Sequence, residues 1–120
     1  MTPTDFEFTV TMPGDARLVG AVKQLAAQAA GYAQLSADAG EGLARHVERA
    51  TETAIASTNV PHGPIHVRFT ANPSAIDVFI SSDAAASAAA PASTSSGDVS
   101  VKWSADGSRR TCHIRQPISA

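Results

Sequence analysis

Cysteine is all but missing from this chain of 120 residues, Cys112 being the only one. A single thiol excludes an intramolecular disulfide and a zinc cluster of the cysteine type. Long apolar runs are missing too, and nothing approaches the ~18 consecutive residues of a membrane helix. There is no basic stripe: nine Lys and Arg stand against eleven Asp and Glu, a net charge of −2. Electrostatics therefore argue against nucleic acid as a partner. The opening "MTPTDFEFTV" has neither a basic region nor an apolar core, so no signal peptide is expected and the expected location is cytoplasmic.

Large core residues are also scarce. The apolar fraction is 43%, with aromatics only 5%, and alanine supplies about half of it. Alanine buries little area per residue. One domain spanning 1–120 is expected, of modest stability or helped by a homodimer.

Alternation in "FEFTVTM" puts Phe6, Phe8, Val10 and Met12 on one face of a half-buried strand. Pro13 and Gly14 end it, and Asp15 suits a helix N-cap. Between Ala16 and Ala30, Leu18, Val22, Leu25 and Ala29 recur at helical spacing. Gly31 is placed to close that helix in a left-handed conformation. A second helix opens at "LSADAGEGL", with Ser36 as cap and Asp38 and Glu41 near its positive end. Its buried face runs Leu43, Val47, Ala50 and Ala54. Gly40 and Gly42 weaken its first turns by roughly 1 kcal/mol each, predicting either fraying or very close packing.

Ile65, Val67 and Phe69, then Ile76, Val78 and Ile80, make a hairpin around "TANPSA". Beyond Asp83, "AAASAAAPASTSSG" is of low complexity; its alanines suit two helical turns and its Ser and Thr residues a loop. "DVSVKW" and "TCHIRQ" form a closing hairpin around "SADGS", with Val99, Val101 and Trp103 facing Cys112 and Ile114. The order strand, helix, helix, hairpin, connection, hairpin reads as a two-layer α+β sandwich, helices on one face of a sheet.

That order, with "LSADAGEGLARHVERATETAIAS" as second helix and "GPIHVRFTANPSAIDVFISSD" as central hairpin, resembles the anti-sigma-factor branch of the histidine-kinase-like ATPases. The resemblance implies a mixed sheet and a regulator that holds a sigma factor or its antagonist. In that family the second helix carries a glutamate that orients the attacking group. Four residues on, just before an Ala-Ile pair, an asparagine holds Mg²⁺. Aligning on Ala54-Ile55 puts Arg49 and Thr53 in those places. A register shift by one offers Glu48 and Glu52, which points off the aligned face and repels a triphosphate. Asp83 stands where the family's adenine-binding aspartate would, but no glycine follows it closely and only Gly97 remains of a phosphate-holding lid. Arg49, Thr53 and Asp83 are thus vestigial positions, and neither a nucleotide cofactor nor a metal is expected. The resemblance also implies partner contacts from the first helix, to which Arg17 and Lys23 contribute.

Each of these residues has a plainer reading. Arg49 suits a solvated helix face, Thr53 a bond back to its own helix, and Asp83 a cap for the alanine run. Arg109 and Arg110 form a basic hairpin tip. His46, His62, His66 and His113 lack metal-ligand spacing, and Cys112 suits a small core residue. Three functions stay open: a nucleotide-free binding regulator, a divergent serine kinase of the same family, and a small-ligand module using the former nucleotide cleft.

Overall fold

A computed structural model describes residues 6–33, 35–56, 63–72, 74–83, 94–96, 99–106 and 109–117. Strand β1 (Phe6–Pro13) leads through a 3-10 turn (Ala16–Leu18) into α1 (Val19–Tyr32) and α2 (Ala37–Ala56). Then follow β2 (Pro64–Ala71), β3 (Ala75–Asp83), β4 (Thr94–Ser96), β5 (Val99–Asp106) and β6 (Arg109–Pro117). The strands form one sheet in the order β1-β2-β3-β6-β5-β4.

Two helices packed against this sheet give the expected α+β layering, but every ladder is antiparallel where a mixed sheet was implied. The connection explains the direction of β2. Gly40 at the start of α2 meets Ala30 at the end of α1, and Lys23 meets Glu48, so the helices run antiparallel. One helix between neighbouring strands leaves them parallel; a second antiparallel helix reverses the chain once more. The remaining contacts are hairpins or close antiparallel pairs.

The helix-facing residues follow the period-2 pattern of the strands. Ile65, Val67, Phe69, Ile76, Val78, Ile80, Cys112 and Ile114 are fully buried. Burying each large aliphatic or aromatic side chain among them contributes roughly 1.5–3 kcal/mol. Val101 lies opposite Ile114 and Trp103 opposite Cys112, the pairing the alternation predicts. Phe8 extends the core toward the sheet edge by stacking on Phe69, ring centroids 4.8 Å apart.

Alanine does in the helix layer what large residues do in the sheet. Ala26, Ala29, Ala30 and Ala33 of the first helix region and Ala44, Ala50 and Ala54 of α2 are buried. Small side chains let the two helices approach closely: a Cβ on Gly40 would sit 3.2 Å from the Ala30 Cβ. Gly40 therefore packs, whereas Gly42 faces open space. At the other end of the layer Gly14 donates to the Gly63 carbonyl at 2.9 Å. A Cβ there would press on that same oxygen.

Caps follow the sequence in two places. Asp15 accepts from the Arg17 backbone N–H at 2.9 Å, capping the 3-10 turn, and Ser36 Oγ accepts from Ala39 N–H at 3.2 Å. Gly31, expected to close α1, instead lies within it: the helix continues to Tyr32, and Ala33 N–H still bonds to the Ala29 carbonyl. The segment "STSS", read as loop, contributes β4, with Thr94 opposite Val101 and Ser96 opposite Val99. The two alanine turns expected after Asp83 fall outside the described residues, as do His62, Pro73 and Gly97.

Candidate functional site

Arg49 and Thr53, the positions that the resemblance singles out, lie one turn apart on α2. Thr53 donates its hydroxyl to the Arg49 carbonyl at 3.0 Å. Such back-bonding satisfies a short polar side chain within its own helix. The Arg49 guanidinium is exposed, and among the described residues it has no ion-pair partner. Glu52, the alternative of the shifted register, is also exposed.

Arg49 borders an open cleft of about 570 Å³ between the N-terminal half of α2 and the sheet. Arg45 and His46 line it from the same helix, Val99 and Gln116 from the facing strands, and Asp38 is the one carboxylate among its described lining residues. Arg45 is held by Glu41 one turn earlier, at 2.8 Å. His46 is partly buried, and that desolvation together with the nearby Arg49 charge lowers its pKa from the ordinary 6.5. Gln116, 5% exposed, donates from Nε2 to the Pro117 carbonyl at 3.1 Å.

Asp83 is not brought to this cleft. In the β3–β6 ladder Ile76 pairs with Gln116 and Asp83 with Arg109, so the cleft and Asp83 lie at opposite ends of the sheet. Of Arg49, Thr53 and Asp83 only Arg49 lines it. Among the described residues no three His, Cys, Asp or Glu side chains gather as metal ligands.

The partner-binding candidates are both at the surface and both engaged. Arg17 clasps Asp15 through Nε and Nη2, the shortest contact being 2.7 Å, and this raises its pKa. Lys23 lies 3.6 Å from Glu48 across the helix pair. It also borders a shallow groove of about 320 Å³ whose walls are mostly alanine and glycine from α1 and α2. Solvent screens exposed pairs of this kind, so both cations can be redirected toward a partner at little cost.

A further cluster lies on the sheet face opposite the helices. Asp77 is only 7% exposed although it points to the helix-free side. His113 donates from Nε2 to Asp77 Oδ1 at 2.7 Å, and Arg115 reaches the same carboxylate at 3.3 Å. Phe79 stacks on His113 with centroids 4.4 Å apart and planes 10° from parallel. Register builds this cluster: Asp77 lies opposite Arg115 and Phe79 opposite His113. Sequence spacing could not show it, because 36 residues separate Asp77 from His113. The only available signal was alternation, which placed polar Asp77 between buried Ile76 and Val78.

Cys112 is fully buried on the helix-facing side, and burial pushes its thiol up to about 12. That is the environment of a packing residue, with too little thiolate near neutral pH for a nucleophile. No protein-family model matches this chain, and no curated protein is similar to it.

Proposed function

We propose that the protein is a bacterial regulator resembling an anti-sigma factor, which works by binding a protein partner and has lost ATP. Its fold would be a degenerate form of the histidine-kinase-like ATPase fold. The observation that carries this reading is the Arg49–Thr53 turn. Where the resemblance asks for a carboxylate and a Mg²⁺ ligand, the hydroxyl of Thr53 is bonded to the helix carbonyl of Arg49. The neighbouring charge is a guanidinium, which repels a divalent cation. The alternative of a divergent serine kinase would need both groups restored.

The partner is a sigma factor or an antagonist domain, and its contact surface is the α1 region around Arg17 and Lys23. The ion pairs there are exposed and weak enough to exchange for acidic groups on a partner. Purified sigma factors and antagonist domains of the source organism, titrated into the protein, test the reading. One of them should bind, and Arg17→Ala with Lys23→Ala should weaken it while leaving the melting temperature within a few degrees. Failure of all of them to bind would overturn the reading; binding unchanged by the double substitution would move the interface to another surface.

A further inference from the structure

We propose that the cleft beside the N-terminal half of α2 binds a small organic anion, a carboxylate or phosphate carried on an organic body. Three basic side chains converge there from one helix: Arg45, His46 and Arg49. Arg49 has no ion-pair partner among the described residues, so its charge is available to a ligand. Arg45 is committed only to an exposed i,i+4 pair with Glu41. Such an exposed pair is weak and yields readily to a bound anion. Glu41 faces Arg45, Asp38 is the one carboxylate among the described residues that line the cleft, and the strand wall contributes the uncharged Val99 and Gln116.

The shape argues for an organic ligand. At about 570 Å³ the cleft lies within the ~300–1,000 Å³ range of small-molecule sites and is too roomy for an inorganic ion alone. Val99, 7% exposed, offers an apolar wall, and Gly42 lines the cleft without a side chain to fill it. Gln116 adds a carboxamide oriented by its bond to the Pro117 carbonyl. An anion seated against His46 would supply the countercharge that the ring lacks. This site lies away from Asp83 and is independent of the partner surface, so either proposal can fail without the other.

The test is a titration of the full chain, followed by NMR of the His46 ring and the Arg49 side chain at constant ionic strength. The probes are citrate and glucose 6-phosphate, with glucose and sodium chloride as controls. At least one of the two anions should give saturable shifts below about 10 mM and raise the pKa of His46, while glucose and chloride do neither. Arg49→Gln should weaken that binding about tenfold or more, the loss of one charge-assisted contact. Absence of saturation with both anions overturns the proposal, and so does equal binding by Arg49→Gln. A chloride titration that reproduces the shifts has the same consequence.

Discussion

Replacing Asp77 by alanine probes the polar cluster on the helix-free face of the sheet. The substitution removes the acceptor of the 2.7 Å bond from His113 and of the longer contacts from Arg115 at 3.3 and 3.4 Å. A hydrogen bond to a charged group contributes about 1.5–3 kcal/mol. The Arg115 pair, with that side chain about half exposed, adds about 0–1 kcal/mol. The expected loss is therefore about 1.5–4 kcal/mol, or a fall of roughly 5–20 °C in melting temperature for a domain of this size. Asp77→Asn, which keeps one acceptor oxygen, should lose about half as much. Urea denaturation of Asp77→Ala, His113→Ala and the double variant gives the coupling directly, expected at about 1.5 kcal/mol. A loss below about 0.5 kcal/mol with no coupling would show that the buried carboxylate is solvated well enough without its partners, and would refute the reasoning.

The two glycines at the start of α2 should separate in sign. Gly42→Ala, facing open space, should stabilise by about 0.5–1 kcal/mol from helix propensity; Gly40→Ala, 3.2 Å from the Ala30 Cβ, should gain less or lose stability, as urea midpoints will show. Cys112 should resist a thiol reagent at pH 8 in the native protein and react at once in urea. Its thiol ionises at about 12 in the folded chain against an ordinary 9.0, so the unfolded chain loses that proton first and stability should fall as pH rises between those values. His46 carries the opposite slope. Its folded pKa lies below the ordinary 6.5, so the unfolded chain binds more protons on acidification, and its contribution is present above pH 6.5 and lost below it. His46→Gln should therefore lose less stability than wild type between pH 7.5 and pH 5.

Wherever alternation was strong, the sequence was enough. Val67, Phe69, Val78 and Ile80 announced the central hairpin, and Leu43, Val47, Ala50 and Ala54 the buried face of α2. Local polar chemistry was equally legible: the Asp15 and Ser36 caps and the Thr53 back-bond all involve neighbours within four residues. Four features were not legible. Thr94–Ser96 has no apolar alternation, and only its pairing with β5 makes it a strand. Gly31 has the composition of a helix stop, yet contacts made by Ala29, Ala30 and Ala33 in the core carry α1 past it. The Asp77–His113–Arg115 cluster and the cleft at Arg45, His46 and Arg49 are products of register and packing, which spacing along the chain cannot encode.

Calorimetric titration with ATP, run with and without Mg²⁺, tests the claim that this helix has lost nucleotide chemistry. The account predicts no magnesium-dependent heat, because Thr53 is bonded to its own helix and, on the proposed reading, Arg49 stands where the resemblance asks for a carboxylate. Heat that is equal with and without Mg²⁺ and lost in Arg49→Gln would report the anion cleft instead. Magnesium-dependent binding with a dissociation constant below ~100 μM, worth roughly −5.5 kcal/mol, would contradict the account.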